Sequence, residues 1–295
     1  MRYIISFLLA SIAPAYAEVP RVVTDLPPVH SLVAQVMGDL GQPELLMERG
    51  ANAHDFQMRP SQAAALQEAG LVVWIGPEMT PWLDRALLGL SGARHLQLLA
   101  APETNRRDYG AQQGSEIEDD GHDHIGIDPH AWLDPVNAAR WLDLIAGNLA
   151  TLDPEHAATY VGNALRAKTE LAMLDAKIAA ELAPERGKWL VVYHDAYSYF
   201  AQHYGLTIAA TLAEGDAAGP GAQHIATIEA LLRSGKVCLF SEANHDPRLV
   251  TQLADASGLR PAGVLDPEGA SYDLGPALYG QMLRGLADSI TACGK

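Results

Sequence analysis

Short apolar runs alternate with helical patterns along most of this chain. The run GLVVWIG at 70–76 is continuous and apolar, which is typical of a strand covered on both faces. The segments 21–38, 188–205 and 236–258 each begin with a β-rich run and continue in an amphipathic helical pattern. Strands that alternate with helices predict parallel sheets. We therefore expect an α/β fold of the doubly wound kind.

One helical pattern is much longer than the others. Asp153-Pro154 is a good N-cap followed by proline at the first helical position, and Ala183-Pro184 marks the end. Roughly 30 residues at 1.5 Å per residue make a rod of about 45 Å. A helix of this length predicts a rigid connector between two α/β lobes. The expected divisions are an N-terminal lobe at 18–152, a linker helix at 153–184 and a C-terminal lobe at 185–295.

Residues 1–17 have the features of a cleaved export signal. Arg2 precedes an apolar run at 3–12, and Ala15-Tyr16-Ala17 gives the small-x-small pattern of a cleavage site. A membrane anchor is the alternative. The apolar run is shorter than the about 20 residues needed to span a bilayer, and Pro14 interrupts it. We therefore expect export with removal of this segment.

The chain is acidic. It holds 20 Lys and Arg against 36 Asp and Glu, and removing Arg2 with the signal leaves 19 − 36 = −17. This balance argues against nucleic acid and anionic lipid as partners. It also raises the local concentration of cations, although solubility alone explains an acidic surface equally well.

The chain contains two cysteines, Cys238 and Cys293. In an oxidising exported setting, an even pair predicts one disulfide, which would tie a strand to the C-terminal tail. Two buried thiols are the alternative.

Three of the eleven histidines share a distinct context. His54, His130 and His194 each lie where a strand is expected to end, with an acid beside them or Asp-Pro just before. Ligands gather at the carboxyl ends of parallel strands, and a nearby acid orients an imidazole that binds metal. Six others lie singly in helical or turn contexts and are expected to be structural or surface residues: His30, His95, His156, His203, His224 and His245.

Spacing alone does not make these three histidines a site, because ligands this far apart form no short motif. The chain also lacks the H-E-x-x-H, Cys-x-x-Cys, G-x-S-x-G and Walker patterns. A zinc hydrolase remains an alternative class, but it needs a general base aimed at a bound water, and no residue clearly supplies one.

The segment 105–128 is polar, acidic and contains glycine, which predicts a mobile loop. His122, His124 and Asp123 within it are candidates for a weak auxiliary metal site. A solvated acidic loop with incidental histidines is the alternative.

Six segments, in order, resemble the metal-binding proteins of bacterial ABC importers for zinc and manganese. They cover nearly the whole chain after the signal, and the match is closest to the zinc-specific, ZnuA-type branch. The segments are HDFQMRPSQ, DPHAWLDPVNAAR, YHDAYSYFAQHYGL, PGAQHIATIEALL, SEANHDPRLV and GVLDPEG.

The resemblance implies a metal-ligand set. The ligands of the family fall on His54, His130 and His194, and the position of His194 usually holds a carboxylate in manganese members. Three imidazoles suit zinc better than manganese. Asp266 matches a ligand of several members, with water as the alternative fourth ligand and turn-capping as another role for Asp266. Glu242 is expected to be structural at its strand end.

The resemblance also implies a function and partners. Zn²⁺ would bind in the cleft between the lobes, in the periplasm, and pass to an inner-membrane ABC permease; no enzymatic activity is implied. We expect a monomer, and a periplasmic metallochaperone is left open as a zinc donor. A manganese or iron importer component and a surface adhesin of the same fold are further alternatives.

Overall fold

The computed structural model describes the chain except for short segments. The expected signal at 1–17 lies outside the described residues. Among the helices that are described, none is long and apolar enough to cross a membrane. The described residues are 19–47, 50–51, 56–90, 94–109, 126–213, 221–235 and 237–293.

The N-terminal lobe is built on a four-stranded parallel sheet in the order β2-β1-β3-β4. Prolines at the first helical positions start its helices, where a missing N–H costs nothing. The strands are β1 (Val22–Thr24), β2 (Glu44–Leu45), β3 (Leu71–Trp74) and β4 (Arg94–Gln97). The helices are α1 (Pro27–Met37), α2 (Pro60–Glu68), α3 (Pro81–Leu88) and α4 (Pro135–Leu152).

The C-terminal lobe repeats this arrangement with the order β6-β5-β7-β8, again all parallel. The two lobes therefore confirm the predicted α/β fold of parallel sheets flanked by helices. The strands are β5 (Trp189–Val192), β6 (Thr207–Thr211), β7 (Val237–Glu242) and β8 (Gly263–Leu265). The helices are α6 (Ser198–Tyr204), α7 (Ala222–Leu232), α8 (Arg248–Ser257) and α9 (Leu278–Thr291).

The shared strand order places a crevice in each lobe. In each sheet the second strand lies on one side of the first strand, and the third and fourth strands lie on the other side. The direction in which strands are added therefore reverses between β1 and β3 and between β5 and β7. In open parallel sheets, ligands bind beyond the carboxyl ends of the strands at such a reversal. The residues that follow β5 and end β7 are therefore well placed for a site.

The long helix α5 (Ala157–Leu182) connects the lobes, as the sequence predicted. Its 26 residues span about 39 Å. Asp153 caps the turn before it, accepting the His156 backbone N–H at 3.4 Å. The helix packs along α4, α1 and α9 and so is part of the body of the protein rather than a free rod.

One apolar core crosses the boundary between the lobes. It includes β1 and β3 residues, the fully buried Trp132 and Trp141, and Tyr279 and Leu283 of the C-terminal helix α9. Burying this surface stabilises both lobes together. The shared core therefore restricts movement of one lobe against the other.

Cys238 and Cys293 form the predicted disulfide, with their Cα atoms 6.0 Å apart. It joins the start of β7 to the residues after α9. Glu242, at the opposite end of β7, lies about 13 Å along the strand from Cys238.

Replacing both cysteines with serine should lower the free energy of unfolding by about 2–4 kcal/mol, because the bond closes a long loop in the unfolded chain. Urea unfolding of the variant and of the oxidised wild type measures this difference. Metal affinity should change little, since the bond lies at the end of β7 away from Glu242. A loss of metal affinity as large as the loss of stability would contradict this separation.

Candidate metal centre

His130 is a buried imidazole whose Nδ1 contacts the carboxylate of Asp128. Its Nδ1 lies 2.7 Å from Oδ1 of Asp128, and the same oxygen accepts the His130 backbone N–H at 2.9 Å. We assign the ring proton to Nδ1 because its partner is a carboxylate. Nε2 then keeps a lone pair that is available to a metal ion.

The residues after His130 fix its place on the N-terminal lobe. Ala131–Leu133 form a 3₁₀ turn, and α4 begins directly after it at Pro135. Asp134 caps α4 by accepting the backbone N–H of Val136 at 2.9 Å. The motif DPHAWLDP therefore starts a helix at a set distance from the imidazole.

His194 lies in the bend between β5 and α6. Its Nδ1 is 2.8 Å and 2.9 Å from the two carboxylate oxygens of Glu242, the last residue of β7. The Tyr197 hydroxyl donates to this carboxylate at 2.8 Å. The ring proton again belongs on Nδ1, so the lone pair of His194 lies on Nε2, the nitrogen through which the ring would bind a metal ion.

Glu242 is charged in this arrangement. Burial by itself raises the pKa of the carboxyl, but the adjacent His194 and the hydrogen bonds from His194, His245 and Tyr197 outweigh it and hold the pKa at about 2. Glu242 is therefore a carboxylate that only accepts hydrogen bonds. A charged acceptor at Nδ1 raises the basicity of the His194 ring, which strengthens metal binding at Nε2.

The spacing of the two imidazoles fits a shared zinc ion. The ring centres of His130 and His194 are 5.4 Å apart. Two imidazoles bound to one tetrahedral zinc at about 2.0–2.1 Å from each nitrogen have ring centres about 5 Å apart. The donor set of neutral nitrogens also suits zinc. These two residues therefore fit the ion that the sequence predicts.

The two histidines belong to different lobes, and contacts across the boundary hold them in register. Ser198, at the start of α6, donates its hydroxyl to the Asp128 carboxylate, and Tyr199 donates to the Asp128 backbone carbonyl at 2.9 Å. Trp132 Nε1 donates to the Pro267 carbonyl at 2.7 Å. The carboxylate that orients His130 is thus itself held by the other lobe.

Asp266 lies at the end of β8 with both carboxylate oxygens engaged. They accept the backbone N–H groups of Ala270 at 3.0 Å and of Ser271 at 2.8 Å. This is the turn-capping arrangement that the sequence left open. The charge of Asp266 contributes to the raised pKa of Tyr197, after burial and Glu242.

Several predicted site residues lie outside the described part of the chain: His54, His122, His124 and Asp123. Among the described residues, the cluster of potential ligand atoms within 4.8 Å of one another is formed by His194, Glu242 and His245. Asp266 and His130 do not join such a cluster in the described residues. Their roles as ligands remain predictions.

One expectation about local structure was wrong. His130 was placed at the end of a strand, but the residues just before it form only a single bridge, between Ile127 and Asp108. The Asp-Pro sequence and the 3₁₀ turn position this side chain instead. For His194 the expected strand-to-helix junction is present. Its Nδ1 is held by Glu242, 48 positions further along the chain.

The sequence did not predict the contact between His245 and Glu242. His245 was assigned a structural or surface role, yet its Nε2 lies 3.2 Å from Oε1 of Glu242, three residues after the strand ends. The criterion applied to the other histidines, a position at the carboxyl end of a strand, would have selected it too. Glu242 was expected to be structural at its strand end, and it accepts hydrogen bonds from two imidazoles and a phenol there.

Two α/β lobes with oriented imidazoles at their boundary are typical of a metal-binding solute receptor. The chain belongs to the family described as zinc-uptake complex component A, periplasmic, which it matches over residues 22–293. This confirms the family resemblance of its motifs, and it places the chain with binding components of uptake systems rather than with hydrolases.

Relatives along the full length agree. The high-affinity zinc uptake system protein ZnuA of Paracoccus denitrificans (strain Pd 1222) is 46% identical over 304 residues, covering 95% of this chain and 93% of that protein. The protein of the same name from Brucella abortus (strain 2308) is 33% identical, covering 92% and 91%. A crystal structure of ZnuA superposes with a TM-score of 0.78 at 23% identity, covering 94% and 99%, and supports the fold.

Glu242→Gln should weaken zinc binding about 10- to 100-fold, the usual effect of losing a carboxylate that orients a ligating histidine. Glutamine keeps the shape and one acceptor oxygen but removes the charge. Competition of the purified variant with a zinc chelator measures the change.

Glu229→Gln on α7 is the matched control, since Glu229 pairs with Arg233 at 2.8 Å on the helix surface. Its zinc affinity should equal that of the wild type. Equal affinities for both glutamine variants and the wild type would remove Glu242 from the centre.

Proposed function

We propose that this protein captures Zn²⁺ in the periplasm and delivers it to an inner-membrane ABC importer. The observation that carries the proposal is the pair of buried imidazoles from opposite lobes, 5.4 Å apart, each with Nδ1 engaged by a carboxylate. Zinc is the cargo in this proposal, and no chemistry is performed on it. The named relatives are zinc uptake proteins, which supports the same assignment.

His54 and Asp266 complete the proposed ligand set. With His130 and His194 they give three imidazole nitrogens and one carboxylate oxygen, a usual tetrahedral environment for zinc. Asp266 then has to bind zinc through an oxygen that also accepts a backbone N–H. A carboxylate oxygen has more than one acceptor direction, so both interactions are compatible. Water is the alternative fourth ligand.

Binding between the lobes stabilises their present arrangement. Each lobe supplies at least one imidazole, so an ion held by both adds a bond across the boundary that Asp128 and Ser198 already bridge. Because the apolar core is continuous, the change on binding is confined to loops and small lobe shifts. The permease would therefore distinguish loaded from empty protein by local structure near the cleft.

The partners of the proposal are the zinc ion and the permease of the importer. The protein acts as a monomer, with the division into lobes at 18–152 and 185–295 around the linker at 153–184. A periplasmic metallochaperone is not required; if one delivers the zinc, the same ligands receive it.

His130→Ala should reduce zinc affinity by more than the roughly 10- to 100-fold expected for an orienting residue, because it removes a ligand atom itself. Chelator competition with the purified protein measures the dissociation constant. His95→Ala, which removes an exposed histidine of β4, is the control and should bind as the wild type does.

The same titration with Mn²⁺ as competitor tests the choice of metal. Zinc should displace manganese, since three imidazoles favour zinc. Wild-type protein that binds no zinc, or that prefers manganese, would overturn the proposal. An unchanged zinc affinity in His130→Ala would remove this residue from the site.

The segment 115–125 has a separate role in this proposal, as a weak second site formed by His122, His124 and Asp123. Deleting 115–125 should abolish weak zinc binding and leave tight binding intact, because the tight site uses other residues. Isothermal titration of the deletion and the wild type separates the two classes of site. Loss of tight binding in the deletion would contradict this division of roles.

A further inference from the structure

Three imidazoles form a row that leads out of the metal centre. Ring centres are 5.4 Å apart between His130 and His194 and 5.7 Å apart between His194 and His245. Side-chain exposure rises along the row, from 3% for His130 and 8% for His194 to 27% for His245. His245 is therefore the member of the row that incoming solvent species reach first.

The outer end of the row has a donor set suited to zinc. Oε1 of Glu242 lies 3.2 Å from Nε2 of His245 and 2.8 Å from Nδ1 of His194. Donor atoms around a tetrahedral zinc ion are about 3.3 Å apart, given bonds of about 2.0–2.1 Å. An imidazole nitrogen and a carboxylate oxygen are both usual zinc ligands. Little movement is needed for an ion to bridge Glu242 and His245.

The position of His245 is fixed by more than this hydrogen bond. Its ring stacks on Tyr193, with ring centres 4.0 Å apart and planes 23° apart. Its backbone N–H donates to the Glu242 carbonyl at 3.2 Å. The stacking partner and the carboxylate together set the orientation of the His245 ring.

We propose that Glu242 and His245 form a transit site, which takes up Zn²⁺ from solvent and passes it by way of His194 to the inner centre. The inference rests on the proposed function and adds a kinetic step to it. When the ion binds at Nε2 of His245, the ring proton moves from Nε2 to Nδ1, so the imidazole stays neutral.

The shared carboxylate makes the outer site temporary. Glu242 orients His194 for the inner centre through both carboxylate oxygens, and one of them, Oε1, also faces His245. An ion at the outer position attracts this carboxylate and weakens its hydrogen bond to His194. An ion at the inner centre is bound best when that hydrogen bond is intact. The outer site therefore empties as the inner one fills, which is the behaviour of a transfer step rather than of a second storage site.

A transit site lowers the barrier for arrival and departure alike. His245→Phe keeps a ring that stacks on Tyr193 and removes the donor nitrogen. Its association and dissociation rate constants for Zn²⁺ should both fall about tenfold, the effect of about 1.4 kcal/mol on a barrier. Their ratio, the dissociation constant, should move much less than either rate.

Stopped-flow mixing of the full-length mature protein with Zn²⁺ measures association, and mixing the loaded protein with excess chelator measures dissociation. Tryptophan fluorescence reports the inner centre, because the Trp132 ring lies 5.2 Å from that of His130. His95→Phe on the exposed edge strand β4 is the control and should keep wild-type rates.

His245→Gln separates transit from support of Glu242. Glutamine can still donate a hydrogen bond to the carboxylate but is a poor zinc ligand, so both rates should stay low. Wild-type rates in His245→Gln, or a faster dissociation in His245→Phe, would mean that His245 only supports Glu242 and would overturn the transit role. Unchanged rates in His245→Phe would overturn it as well.

The failure of this inference is distinct from failure of the proposed function. Wild-type protein that gives no saturating zinc signal overturns the proposed function, and the transit role with it. Tight wild-type binding with rates that do not depend on His245 overturns the transit role alone.

Discussion

A buried imidazole binds a metal ion through a ring nitrogen that lacks a proton, and it binds more tightly when the ring is held in place. Two carboxylates provide both features here. Asp128 and Glu242 each hold the Nδ1 of a histidine, so that the lone pair of each ring lies on Nε2. Neither carboxylate is isolated: Asp128 accepts the Ser198 hydroxyl, and Glu242 accepts that of Tyr197. These hydrogen bonds offset the cost of burying charge. The sheets and the linker helix serve to bring these groups together.

Much of this arrangement follows from the sequence for identifiable reasons. The apolar β3 run and the long α5 pattern carry strong local signals, so their type and approximate limits were predicted. The position of His194 at the junction of a strand and a helix was predicted, because the end of a strand is a local feature of the sequence. The pairing of His194 with Glu242 was not, since 48 residues separate them and only the adjacency of β5 and β7 brings them together.

The same distinction explains what was missed about the lobes. Two sheets can share a strand order without sharing sequence, because parallel pairing and right-handed crossovers allow few arrangements of four strands. The sequence shows no short repeat, yet both sheets have the same order. The sequence also did not predict that one core extends across both lobes. Apolar positions on α1 and α9 predict that these helices are buried, but not which elements they pack against.

The contacts of α9 also bear on how the chain reaches its native state. The backbone N–H of Tyr279 donates to the Ser31 hydroxyl at 3.0 Å, and the Tyr279 hydroxyl donates to the Trp132 carbonyl at 2.7 Å. The first helix, α1, thus contacts the last helix, α9, although 248 positions of sequence separate Ser31 from Tyr279. Contacts between such distant residues slow folding because a long loop has to close first. When the chain is delivered N-terminus first, the apolar face of α1 that packs on α9 stays exposed until α9 is available to cover it.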